Sequence, residues 1–94
     1  MKLTIFSTES CPRCKLLAGK LRQMGYEPAE RLMADATTTE RESCITDGPG
    51  YWPRFAPLLQ LDFGEFSCWY ADVSLFKGDR LDEEHLKEIL EQSA

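Results

Sequence analysis

The chain has 94 residues and no run of roughly 20 apolar ones, so nothing in it is built to cross a bilayer as a helix. Its first ten residues, MKLTIFSTES, lack the apolar stretch and small-residue cleavage site of a secretory signal, and a cytoplasmic location is the expectation. Repeats, low-complexity tracts and linkers are absent. A chain this short encloses one hydrophobic core, which gives a single domain over residues 1–94. Positive charge is scarce, with 11 Lys and Arg against 16 Asp and Glu and a formal net charge of −5. That balance argues against nucleic acid as a partner, because phosphate binding needs a basic surface. The nearest cationic cluster is Lys15, Lys20 and Arg22, which a solvated helix face explains. Histidine occurs once, at His85, among acidic neighbours. It excludes a site of several imidazoles and reads as a surface residue.

A second close cysteine pair is also missing. Cys11 and Cys14 lie together, while Cys44 and Cys68 stand apart from them and from each other. In a reducing compartment one such pair points to redox chemistry or metal binding rather than to a disulfide framework. Cys68, on an alternating strand pattern, reads as a buried thiol. A zinc site of all four thiolates, a Cys44–Cys68 disulfide and oxidation of Cys44 are the alternatives.

What is present alternates between strand and helix patterns. Lys2–Ser7 is β-branched and aromatic and predicts a buried first strand. After the polar turn Thr8–Ser10, Cys11 opens a helix with Pro12 at its first position, where the missing N–H costs nothing. Cys14, Leu17, Ala18, Leu21 and Met24 define its apolar face, and Gly25 stops it. Glu30–Met33 predicts a second strand. Thr39 and Glu42 have capping-box spacing and predict a short helix to about Ile45. Asp47–Pro57, with two glycines and three prolines, is irregular. Leu58–Phe63 and Phe66–Tyr70 predict a hairpin around Gly64 and Glu65, with Leu59, Leu61 and Phe63 on one face and Phe66, Cys68 and Tyr70 facing inward. Trp69, on the opposite side of its strand, is still buried if helices cover both faces. Of Tyr51 and Trp52, one is expected in the core and one at the surface. Lys77–Arg80 is a turn, and Asp82 caps a last helix burying Leu86, Ile89 and Leu90. The order is β-α-β-α-β-β-α, a parallel βαβ unit followed by an antiparallel hairpin and a helix.

Thiol–disulfide exchange needs an attacking thiolate and a second thiol near enough to release the mixed disulfide. A C-x-x-C at a helix N-terminus supplies both. Unpaired backbone N–H groups and the helix dipole favour a thiolate at Cys11, lowering its pKa below the free value of about 8.5. Cys14, one turn along on the apolar face, is shielded and resolves. Arg13 between them either adds to the field at Cys11, steers acidic partners, or is an ordinary exposed arginine, while Glu9 opposes the thiolate if close.

The run Phe6-Ser7-Thr8-Glu9-Ser10-Cys11-Pro12-Arg13-Cys14 resembles the strand-turn-C-P-Y-C segment of glutaredoxins, and the element order resembles theirs over nearly the whole chain. The resemblance implies an α/β, thioredoxin-like fold of the glutaredoxin type, a four-stranded mixed sheet flanked by helices. It implies a cis-proline facing the cysteines, for which Pro57 is favoured over Pro49 and Pro53, and a backbone at Ala56 that pairs with substrate. Substrate contacts are implied at Thr8, Pro12, Arg13, Ala56, Pro57 and Asp72. Three departures weigh against glutathione: Thr8 stands for the usual lysine, Arg13 for the tyrosine, and Tyr70-Ala71-Asp72-Val73 for the Gly-Gly-x-Asp segment, leaving only Asp72 as a remnant.

The reading is therefore a monomeric dithiol oxidoreductase with no bound cofactor and no metal, drawing electrons from glutathione or a thioredoxin reductase. Its implied partners are disulfide-bearing proteins, ribonucleotide reductase among them, and glutathione. One rival is a glutathione-dependent glutaredoxin using Cys11 alone. Another is a zinc-binding or protein-docking module without turnover.

Overall fold

The first apolar run forms β1 (Lys2–Ser7) at the heart of a four-stranded sheet, in a computed structural model that describes residues 1–92. Around it follow α1 (Pro12–Gln23), β2 (Ala29–Leu32), α2 (Thr38–Asp47), β3 (Leu58–Asp62) and β4 (Ser67–Tyr70). The strand order is β2-β1-β3-β4, with β2 parallel to β1 and the other pairs antiparallel. The chain is thus an α/β domain on a mixed sheet. After β4 come a single turn α3 (Asp72–Leu75), a small ribbon of β5 (Phe76–Lys77) and β6 (Arg80–Leu81), and α4 (Glu83–Gln92). No helix among the described residues is long and apolar enough to cross a membrane.

Alternation along the strands sends side chains to two cores. Leu3, Ile5, Leu59 and Leu61 pack with Leu17 and Leu21 of α1 and Leu86 and Leu90 of α4. Phe6, Leu58 and Trp69 pack on the other face with Cys44 of α2. Because both faces are covered, β1 and β3 are buried along most of their length, the polar Thr4 and Gln60 included. Each fully buried leucine contributes about 1.5–3 kcal/mol, against at most about 1 kcal/mol for an exposed ion pair such as Arg22–Glu30. The packing, not the surface charges, carries the fold.

α1 ends as its sequence predicts. Gly25 takes φ +93°, the Gly25 N–H donates to Arg22 O and the Tyr26 N–H to Leu21 O, satisfying the last carbonyls. α2 differs from the expected register. The capping box joins Thr37 and Glu40 rather than Thr39 and Glu42, and the helix runs on to Asp47. Three consecutive threonines make the local signal degenerate. A contact from outside the helix settles it, the ion pair of Glu40 with Arg31 on β2. Burial opposes ionisation of Glu40, but the Thr37 N–H and the Arg31 guanidinium outweigh it and hold the carboxyl below its ordinary value.

β4 starts at Ser67, so Phe66 does not face inward as expected. It lies in the turn, 56 % exposed, stacked on Phe63 with ring centroids 4.8 Å apart. Gly64 at φ +92°, with its N–H donated to Asp62 Oδ1, turns the chain, and the last backbone bond of the hairpin is the one the Phe63 N–H donates to Phe66 O at 2.9 Å. At the end of α2, Gly48 permits a close approach: a Cβ there would sit 2.6 Å from the Cys44 carbonyl oxygen and 2.7 Å from Trp69 Cβ.

Candidate active site

Cys11 is the N-cap of α1, with Pro12 next in the first turn, and its Sγ accepts a bond from the Cys14 N–H at 3.2 Å. No acidic residue stands in that first turn. Backbone donors and dipole therefore act on Cys11 without an opposing charge inside the helix. Just before it, Ser10 takes φ 56°, a left-handed conformation that is costly for a residue with a side chain and fixes the sharp entry to the helix. The two cysteines are joined by a disulfide with Cα atoms 5.3 Å apart. Cys14 is 3 % exposed, and Cys11 is only half-buried. One sulfur is reachable and the other is not.

Arg13 is neither a free guanidinium nor an ordinary exposed one. It pairs with Asp72 at 3.4 Å and with Asp79 at 3.1 Å, and lies over the Phe76 ring at 5.5 Å from its centroid. Asp79 is solvent-exposed, so that pair adds little, whereas Asp72 is largely shielded. Arg13 thus ties the start of α1 to α3 and to the β5–β6 turn.

Of the X-Pro bonds in the Asp47–Pro57 loop, the cis one is Ala56–Pro57. Thr8, Cys11, Pro12, Arg13, Ala56 and Asp72 line one groove of about 650 Å³, and Pro57 is fully buried. The sequence-predicted residues are therefore brought together, with Pro57 as support rather than lining. Ser10, Arg54, Phe55 and Asp79 complete the groove and were not anticipated. For Arg54 and Phe55 the available signal was their place immediately before Ala56–Pro57.

The lone cysteines part company. Cys44 is fully buried in the core beneath α2, its thiol 3.5 Å from the Tyr51 carbonyl oxygen. Cys68 is half-buried and packs in the core on the other face of the sheet. The sheet separates them, which rules out a Cys44–Cys68 disulfide and a single site of four thiolates. Among the described residues no group of three or more His, Cys, Asp or Glu is placed to hold a metal. His85 is more than a surface residue: half-buried, its Nδ1 meets the Ser74 carbonyl and its ring stands edge-on to Tyr70, fastening α4 to α3. Trp52 joins Phe6 and Trp69 in the core, and Tyr51 is the exposed partner.

Burial pushes the Cys44 thiol up to about 11 from an ordinary value of 9.0. Well below pH 9 the thiol is protonated folded and unfolded alike, and stability is unaffected. Between pH 9 and 11 the unfolded chain ionises first, so the folded state loses on the order of 2–3 kcal/mol as pH rises. Urea midpoints at pH 7, 9 and 11 should show this alkaline loss shrinking in Cys44→Ala. An identical loss in the variant would contradict the assignment.

No family model matches the chain, and neither does any curated protein or solved structure. Function is therefore read from the geometry of the groove.

Proposed function

We propose that the chain is a thiol–disulfide oxidoreductase on a thioredoxin-like, glutaredoxin-type fold, acting on protein disulfides in the cytoplasm. The observation that carries this reading is the asymmetry of the pair: a half-exposed Cys11 capping α1 over a buried Cys14, in one groove with Ala56. Once reduced, the Cys11 thiolate attacks one sulfur of the substrate disulfide, and the other sulfur leaves as a thiolate. Cys14 then loses its proton and attacks Cys11 Sγ, releasing the substrate's second thiolate and closing the Cys11–Cys14 disulfide. Two electrons pass from the chain to the substrate, whose thiolates take up two protons from water. A thioredoxin reductase or glutathione restores the dithiol.

The glutathione-dependent alternative is weakened by Arg13. Asp72 is the one residue that the family resemblance offers to glutathione's γ-glutamyl end, and its carboxylate is already engaged by Arg13. The separation of Cys44 from the other thiols weakens the zinc-module reading in the same way. The test is to mix the reduced chain with a disulfide-bridged protein, quench by alkylation and weigh both. Each substrate disulfide opened should be matched by one Cys11–Cys14 disulfide formed. Substrate left intact, or opened with the dithiol unspent, would contradict the proposal.

A further inference from the structure

Between Trp52 and Pro57 the chain is pinned at both ends. Trp52 packs against Phe6 and Trp69, with ring centroids 6.0 and 6.3 Å away, and Pro53 and Pro57 are buried. The residues between them point outward: Arg54 is exposed and Phe55 is 71 % exposed. A phenylalanine held that far into water on an anchored backbone is displayed, and a displayed rigid aromatic loses little freedom when a partner covers it. Phe66, also strongly exposed, stacks on Phe63, but Phe55 has no ring partner among the described residues. Arg54 likewise has no carboxylate or carbonyl partner among the described residues, whereas Arg13, Arg22 and Arg31 are ion-paired. Both residues line the groove at Cys11, where Arg13 engages the shielded Asp72 and lies 3.1 Å from the exposed Asp79.

We infer that Arg54 and Phe55 are specificity determinants, and that the substrate is a protein whose disulfide cysteine lies in a segment carrying an acidic and an apolar residue beside it. The inference rests on the dithiol reading of Cys11. The partner's carboxylate meets the Arg54 guanidinium, and its apolar side chain covers the Phe55 ring. An acidic segment is repelled by a chain of net charge −5, so the unpaired cation at the groove is what admits it.

Disulfide-linked peptides that differ only in Asp or Lys beside the cysteine test this in single turnovers with the reduced chain. Rates are divided by those with dithiothreitol, to correct for the peptides' own reactivity. The wild type should favour the Asp peptide by about tenfold, and the preference should shrink as salt rises. Arg54→Glu should invert the preference. Replacing the peptide's apolar residue by serine should slow the wild type and leave Phe55→Ala indifferent. A ratio near one in the wild type, or the same ratio in Arg54→Glu, overturns the assignment while the dithiol reading stands. Failure of the wild type to reduce any of the peptides overturns both.

Discussion

Cys11→Ser is expected to reduce protein disulfides no faster than the buffer does, whereas Cys14→Ser should stop halfway with substrate covalently attached. The difference follows from the geometry. Cys11 is half-exposed at the helix cap and is the thiol that lines the groove, so its removal leaves no reachable sulfur there, the half-buried Cys68 lying outside it. Cys14 is 3 % exposed, and in the proposed mechanism its role is confined to attacking Cys11 Sγ after the mixed disulfide has formed. Without it, each chain should hold one substrate molecule, seen as a single adduct by mass and released by dithiothreitol. A buried serine lacks the apolar character of the thiol and costs about 1–3 kcal/mol, so Cys14→Ala should be run beside it to separate folding from resolution. Full-rate turnover of protein disulfides by either Cys14 variant would contradict the two-cysteine mechanism.

Trp69→Ala should be the most destabilising single truncation on the α2 side of the sheet, by about 3–5 kcal/mol. Total stabilities are about 5–15 kcal/mol, so the variant retains only part of its margin. Trp69 is 4 % exposed, its ring lies 5.7 Å from Phe6 and 6.3 Å from Trp52, and its Nε1 donates to Ser43 Oγ at 3.1 Å. Its Cβ also forms the wall against which Gly48 closes. Because Trp52 is held by this ring, the loop carrying Arg54, Phe55 and Ala56 should loosen with it, and disulfide reduction should fall along with stability. Trp69→Phe keeps an aromatic ring but loses one hydrogen bond and part of the packed volume, a smaller change of about 1–3 kcal/mol. Thermal or urea unfolding measures both. Equal losses for Ala and Phe would show that the aromatic packing is not what holds this face.

What could be read from the sequence was what local chemistry decides. Cys11 as a cap, Pro12 behind it, Gly25 as the stop and Asp82 opening α4 each depend on neighbours a few residues away. The register of α2 is not legible locally, because Thr37, Thr38 and Thr39 offer competing caps and the deciding partner, Arg31, sits on another element. The outward position of Phe66 is not legible either, because a period of two does not mark where a strand stops. α3, β5 and β6 are only four, two and two residues long, too short to leave a periodic signal. The fate of Arg13 was the least legible feature, since its two carboxylates lie 59 and 66 residues along the chain. For the proposed function that pairing has a consequence, because it takes up Asp72 and leaves Arg54 as the groove's unpaired cation among the described residues.

On the proposed function Cys11 and Cys14 work as a dithiol. This is tested most directly by equilibrating the chain in glutathione redox buffers of graded poise, trapping thiols by alkylation and weighing the products. Both thiols should disappear together over one transition, with no glutathione attached. A lasting glutathione adduct on Cys11, with Cys14 still free, would contradict it.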